Sequence, residues 1–263
     1  MNANRIQKRW EPRLSADEVF RAKFLTVPTI LDSWISQHFP FRGADVLDFG
    51  CGEGISALAL ALNYEPRSVV GVDIMPDPER CLPLAQENLG LQDLPANLRL
   101  YRVAPGFLHD TAARFDVVYS WSVFEHVEDR MLSTAVDLVR SALRQGGLFF
   151  AQIAPLYFSA EGSHLMHKIP ETWGHLLNQH NVYHQKLCVA VPDAEERSAL
   201  WSTYRTLNRI TAPELVERIK GAGFDILRTY STKESMDPPP RLLAIYQREV
   251  LITNQIVVLA RRR

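Results

Sequence analysis

The sequence predicts an α/β fold, a mostly parallel sheet with helices on both faces, from three observations. Short apolar runs alternate with helical patterns over residues 44–153, as a parallel sheet covered on both sides requires. The first of those runs ends in three alternating glycines before a helix begins. The rhythm stops at Pro155 and resumes at Thr211, so the intervening segment reads as an insertion after the fifth strand. With 263 residues, 46% of them hydrophobic, the chain can bury one sizeable core, and one elaborated domain is the default.

Ser15-Ala-Asp-Glu18 reads as a capping box, in which serine and glutamate reciprocally satisfy free amides of a first helical turn. Thr29 to His38 is a second helical pattern, with Ile30, Leu31, Trp34 and Ile35 on one face. Residues 1–42 are thus expected to form cap helices on a core spanning 43–154. Ala44 to Phe49 is the first strand and Ile55 to Asn63 an alanine- and leucine-rich helix; Pro66 breaks the chain before the strand Ser68 to Val72, which Asp73 closes. A helix over Pro78 to Leu89 and strands at Leu98 to Val103 and Asp116 to Tyr119 continue the alternation. Asp129 is placed to cap a helix running to about Arg144, which Gly146-Gly147 ends before a fifth strand, Leu148 to Ile153.

Residues 155–210 read as a substrate lid, carrying Trp173, Trp201 and the histidines His164, His167, His175, His180 and His184. Residues 211–263 return to the core. Thr211-Ala-Pro-Glu214 is a second capping box with an early-turn proline, and its helix stops at Gly221 or Gly223. Phe224 to Tyr230 and Leu251 to Ala260 are the closing strands, and Pro238-Pro239-Pro240 between them forces an extended loop.

Composition narrows the function. A net charge of −1 supplies no general field for a polyanion, so neither nucleic acid nor a membrane surface is an expected partner. No stretch approaches the roughly 20 apolar residues of a bilayer span, and Met1 to Trp10 lacks an apolar export segment. The three cysteines, Cys51, Cys81 and Cys188, are scattered without a C-x-x-C pair, which fits a reducing cytoplasm.

The informative stretch is Val46-Leu-Asp-Phe-Gly-Cys-Gly-Glu-Gly54, an apolar strand with a carboxylate near its end that runs through three glycines into a helix. Glycines at 50, 52 and 54 remove the Cβ atoms that hold a bulky ligand off the backbone and allow positive φ in a tight turn. Free amides at the helix start can receive polar ligand atoms. Val69-Val-Gly-Val-Asp73 then places an acid at the end of the second strand, where a Rossmann-like fold hydrogen-bonds ribose hydroxyls. A nicotinamide-dependent oxidoreductase uses the same acid, but its G-x-G-x-x-G fingerprint needs a third glycine where Ile55 stands.

With these motifs the chain resembles the class I S-adenosylmethionine-dependent methyltransferases, Val46 to Gly54 matching their first motif and Val69 to Asp73 their second. Phe115-Asp-Val-Val-Tyr-Ser-Trp-Ser-Val-Phe-Glu-His-Val127 resembles the family's fourth strand and loop, and Leu143-Arg-Gln-Gly-Gly-Leu-Phe-Phe150 its fifth-strand entry. The resemblance implies a Rossmann-like, seven-stranded, mostly parallel sheet with the last strand inserted antiparallel. It also implies S-adenosylmethionine as cofactor. Asp48, Gly50, Cys51, Gly52 and Gly54 would approach its methionine half, Asp73 the ribose, and Ile74 and Met75 the adenine. Ser120 and Trp121, in the fourth-strand motif, join the cofactor set. Where many relatives carry Gly-Asp after the third strand, this chain has Val103-Ala-Pro-Gly106, so Ala104 and Phe107 are the candidates for the adenine rim.

The implied reaction is methyl transfer to a small-molecule or glycan acceptor, on oxygen if a base removes a hydroxyl proton. His126, after the fourth strand, and His164, in the insertion, are the candidate bases. Gly162-Ser-His164 and Trp173-Gly-His-Leu176 resemble a bacterial methyltransferase group linked to surface polysaccharide, which makes Tyr157 and Trp173 candidate stacking surfaces for a sugar. The spacing His164-Leu-Met-His167 permits a metal, yet no H-E-x-x-H pattern or cysteine partner accompanies it, and none is expected. A second copy of the chain is a further expected partner, and a catalytically silent cofactor-binding subunit is the alternative reading.

Overall fold

The computed structural model describes residues 9–10, 14, 16–108 and 114–263. Ser15 of the first expected capping box lies outside the described residues. The cap that is seen is Asp17, whose carboxylate accepts from the amides of Val19 (2.8 Å) and Phe20 (3.0 Å), satisfying free donors of the first turn. It starts α1 (Glu18–Arg21), which passes through a π-helical turn (Ala22–Thr26) into α2 (Val27–Ile35). Leu31, Trp34 and Ile35 are buried as their spacing requires.

The strands are β1 (Asp45–Phe49), β2 (Ser68–Asp73), β3 (Leu98–Arg102), β4 (Phe115–Trp121), β5 (Leu143–Ile153), β6 (Phe224–Lys233) and β7 (Thr253–Arg262). They form one sheet in the order β3-β2-β1-β4-β5-β7-β6. Neighbours among β1 to β5 pair in parallel, and β7 runs antiparallel to both β5 and β6. The longer helices are α3 (Ile55–Asn63), α4 (Cys81–Leu89), α5 (Asp129–Ala142), α7 (His180–Ala190), α8 (Ala194–Thr206) and α9 (Ala212–Gly221); α6 (Gly174–Leu177), α10 (Pro240–Leu243) and α11 (Arg248–Ile252) are short.

The period of two along each strand divides the core into two layers. Val46, Val117, Tyr119, Phe150 and Leu259 pack with α2, α3 and α4 on one face. Leu47, Val118, Phe149, Ala151 and Val258 pack with Leu132, Val136 and Val139 of α5 and Leu215 and Ile219 of α9 on the other. Each fully buried side chain of this kind contributes roughly 1.5–3 kcal/mol, and the sheet is thus fixed from both sides.

Three local expectations are corrected. Asp129 is the first residue of α5 and not its cap; Glu128 stands at the cap without a side-chain bond to the helix amides, and Asp129 pairs with Arg218 instead (2.9 Å). α5 ends at Ala142 and the chain enters β5 at once, so Gly146 (φ +77°) and Gly147 lie inside the strand, where pairing shifts from Phe115–Leu143 to Val117–Leu148. A left-handed residue is what such a bulge needs. Pro240 heads α10 and does not extend the loop, because a proline at a first helical position lacks only a donor that would have no partner. The second capping box is present at Thr211, whose amide donates to Glu214 Oε2 at 2.8 Å.

Residues 155–210 carry an apolar cluster of their own, with Tyr157, Leu165, Ile169, Tyr183, Leu187, Val191, Tyr204 and Leu207. Trp173 ties the segment to the connection between β6 and β7, packing with Leu242 and Leu251 and donating its indole N–H to the Leu251 carbonyl (3.2 Å). No helix among the described residues is long and apolar enough to cross a membrane.

Candidate functional site

The strand order reverses direction between β1 and β4, and ligands of open α/β sheets bind outside the carboxyl ends of the strands at such a point. The glycine turn lies there. Gly50 and Cys51 both donate their amides to the Val72 carbonyl (2.9 and 3.0 Å), which folds the turn back over β2. Asp73 locks it: one carboxylate oxygen accepts from Gly52 N (2.8 Å) and the other from Met75 N (2.9 Å).

The glycines do not share one task. Gly50 has φ +82°, and a Cβ there would stand 2.4 Å from Val123 Cγ2; at Gly54 it would meet Leu100 Cδ1 at 2.6 Å. Both are small because protein side chains fill the space. At Gly52 (φ +52°) nothing lies within 4 Å of the same position, so this glycine alone among the three presents bare backbone to an opening. Cys51 turns its side chain inward against Gly71 and contributes backbone only; burial pushes its thiol far up. Glu53 is bridged by Lys23 of the π-helical turn and by Arg80 (both 2.9 Å), fastening the N-terminal helices to the loop.

Asp48 is 1% exposed. It sits opposite Tyr119 in the parallel register of β1 and β4, so both side chains emerge on the same face. Tyr119 donates its hydroxyl to Asp48 Oδ2 at 2.7 Å, and Ser56 donates to the same oxygen at 3.1 Å. Burial raises the Asp48 carboxyl to about 7 against the pull of those two hydrogen bonds, and Asp73 adds to the rise. Tyr119 escaped the sequence reading because strand register, not spacing, brings it to Asp48; Ser56 reaches the same oxygen from the first turn of α3, eight residues on.

Beyond Asp73, Ile74 and Met75 are more than half exposed, as is Phe107, and Ala104 is exposed beside it, closing a turn by accepting from Phe107 N (3.1 Å). These make an apolar rim at the ends of β2 and β3. Ser120 is fully buried with no partner for Oγ among the described residues, and the partly buried Trp121 stacks on Phe150 (6.1 Å, 8°) against the core of the α2 face.

The two candidate bases, 38 residues apart in sequence by their numbers, meet: the His126 and His164 rings lie edge to face at 5.0 Å. His164, at a left-handed φ of +59°, directs Nε2 to the Pro155 carbonyl at 3.0 Å, which leaves Nδ1 as its unprotonated nitrogen. His126 lies on the rim, and its ring makes no hydrogen bond among the described residues. Desolvation lowers the pKa of both, and His164 depresses His126 further. Both are therefore neutral near pH 7. Beneath them Glu125 is 2% exposed, and burial raises its carboxyl to about 8.

Tyr157 and Trp173, expected as stacking surfaces, are core residues at 8% and 1% exposure. His175 is buried as well, giving Nε2 to the Tyr157 carbonyl at 2.6 Å. Among the described residues no three histidines, cysteines or carboxylates gather as a metal would require. A cavity of about 940 Å³, unforeseen in the sequence, opens between α8, α9 and the start of α5.

Comparison with known proteins agrees with this geometry. A family model described as a methyltransferase domain matches residues 25–229. A ubiquinone biosynthesis O-methyltransferase of Coxiella burnetii is 32% identical over 122 residues, 46% of this chain and 48% of that protein; the chain thus matches about half the length of such curated relatives. Two solved structures share the fold: magnesium protoporphyrin IX methyltransferase from Synechocystis PCC 6803 with bound SAH (TM-score 0.55, 15% identity, 99% of this chain and 94% of that one) and the [4+2]-cyclase SpnF (0.55, 14%, 99% and 93%). At such identities these two speak for architecture only, and their differing reactions show why a site must be argued from its own residues. The family model spans most of the chain, the sheet order is the one the motifs implied, and the chain therefore belongs to the methyltransferase-domain family, as a class I S-adenosylmethionine-dependent member.

Proposed function

We propose that this chain transfers the methyl group of S-adenosylmethionine to a hydroxyl of a small-molecule acceptor. The observation that carries this reading is the pairing of one open backbone position, Gly52, with the carboxylates of Asp48 and Asp73 at the ends of adjoining strands. The residues fit an adenosyl amino acid. Asp48 receives both its hydrogen bonds on Oδ2, so Oδ1 remains to face an ammonium. Asp73 is held rigid by two amides with lone pairs left for ribose hydroxyls, and Ile74, Met75 and Phe107 offer apolar cover for adenine.

The cofactor supplies a methyl group on a cationic sulfur. Much of the acceleration then lies in alignment, which reaches about 7–11 kcal/mol in well-oriented systems. His126 would take the hydroxyl proton while the O–CH3 bond forms and the S–CH3 bond breaks, the bonding pair staying on sulfur as a neutral thioether, and would then release the proton to solvent. Its unengaged ring nitrogens support that role over His164, whose ring is tied to the Pro155 carbonyl and positions it. We assign residues 155–210 as the acceptor-side wall. The ubiquinone O-methyltransferase likeness supports an oxygen acceptor.

The test is titration of the purified protein with S-adenosylhomocysteine, together with radiolabelled methyl transfer into a pooled metabolite extract. Saturable binding with label incorporated is expected. A folded protein that binds nothing ends the reading, and binding without transfer replaces it with a silent cofactor-binding subunit.

A further inference from the structure

We propose that the cavity between α8, α9 and the start of α5 is a subsite for an oxyanion, phosphate or carboxylate, carried by the acceptor. The inference rests on the methyltransferase reading and adds the acceptor's chemical class. The cavity measures about 940 Å³, and one face of α8 lines it with Ser198, Trp201, Ser202 and Arg205, spaced as neighbours on a helix surface. Arg209 joins them from the segment just beyond α8.

Charge accounting points to an anion. The carboxylates at the rim are already engaged: Glu128 with Arg130 (2.7 Å), Asp129 with Arg218 (2.9 Å), and Glu214 with the Thr211 amide and hydroxyl (2.8 Å each). Arg205 and Arg209 pair with no carboxylate among the described residues. Arg209 lies over the Tyr157 ring at 5.2 Å, which orients the guanidinium and leaves its N–H edges available. A guanidinium fork beside serine hydroxyls matches the several oxygens of a phosphate or carboxylate.

The subsite is coupled to the proposed base. Asn208, between α8 and Arg209, donates its side-chain amide to the carbonyls of Phe124 and Val127 (2.8 Å to the latter) and its backbone amide to the Glu125 carbonyl (3.0 Å). Those carbonyls belong to the turn that carries His126. Tyr157, beneath Arg209, follows Pro155, whose carbonyl holds His164. An acceptor anchored by its anionic group would thus reach its hydroxyl toward the histidine pair across one bonded framework.

The experiment titrates the full chain with inorganic pyrophosphate and, separately, citrate, at low ionic strength. Wild type, Arg205→Gln and Arg209→Gln are compared, and S-adenosylhomocysteine affinity is measured in all three. Saturable binding of at least one anion is expected, weakened about tenfold or more in each variant because a charge-assisted bond is lost, with S-adenosylhomocysteine affinity unchanged. Pyrophosphate alone identifies a phosphorylated acceptor, citrate alone a carboxylated one, and both together a general oxyanion subsite. Absence of binding by either anion, or equal binding by wild type and both variants, overturns the proposal. Loss of S-adenosylhomocysteine binding by wild type overturns the cofactor reading separately.

Discussion

The two ends of the proposed active site are built differently. At the cofactor end, backbone does the holding: amides of Gly50, Cys51, Gly52 and Met75 bond to Val72 and Asp73, across separations of at most 22 residues. At the acceptor end, side chains reach over long distances in sequence, Asn208 to Phe124 across 84 residues and Trp173 to Leu251 across 78. Within the backbone-built cradle, Gly50 and Gly54 have no room for an added Cβ. A site assembled from side chains instead loses function one group at a time.

The first way to sharpen that contrast is His126→Ala. It is expected to lower kcat by about 10²–10⁴, the usual contribution of general base catalysis, while S-adenosylhomocysteine affinity stays at the wild-type value. Steady-state kinetics beside calorimetry would check it; unchanged kcat removes His126 as the base.

At the other end, Gly50→Ala puts a methyl group 2.4 Å from Val123 on a left-handed backbone. Overpacking and backbone strain together predict a loss of roughly 2–5 kcal/mol. Gly52→Ala meets nothing within 4 Å and carries only the strain of its φ, about 1–2 kcal/mol, yet it intrudes on the cofactor. Urea unfolding should therefore rank Gly50→Ala as the less stable, and S-adenosylhomocysteine titration should rank Gly52→Ala, if folded, far below wild type. Equal stability of the two variants would break the division of labour drawn between these glycines.

Asp73→Ala should weaken S-adenosylhomocysteine roughly ten- to a hundredfold, the worth of charge-assisted hydrogen bonds at about 1.5–3 kcal/mol. Wild-type affinity in calorimetry would remove the ribose assignment. The smallest effect is on pH. Asp48 titrates near 7 in the free protein and must be ionised to face an ammonium. Below that value binding has to expel a proton, so affinity should rise with pH by up to about tenfold per unit on approaching 7 and level off above it. Tyr119→Phe removes a bond that favours the ionised form, which moves the rise to higher pH. A flat profile in both proteins would contradict the proposal that Oδ1 faces the ammonium.

How much was legible follows the same division. Helix α3 and strand β2 begin where their residues said they would, and the capping box at Thr211 formed as written, because caps, glycines and apolar periods act within a few residues. Asp129 and Gly146-Gly147 misled because each has a local meaning that a tertiary partner replaced: an ion pair with Arg218, and a bulge against β4. Trp173 and Tyr157 misled because an aromatic residue serves a core and a ligand surface equally well until its neighbours are known.

The amino-acid order by itself settled the alternation of strands and helices, the glycine turn and the acid that closes β2, since each depends on backbone conformation and on residues near one another in the chain. Only the folded arrangement decided that Tyr119 would bond Asp48, that His126 and His164 would touch, and that Arg205 and Arg209 would stand beside a cavity with no carboxylate partner among the described residues. Those outcomes depend on strand register and on the packing of an insertion, and no local pattern encodes the distance between groups that meet only after the chain has closed on itself.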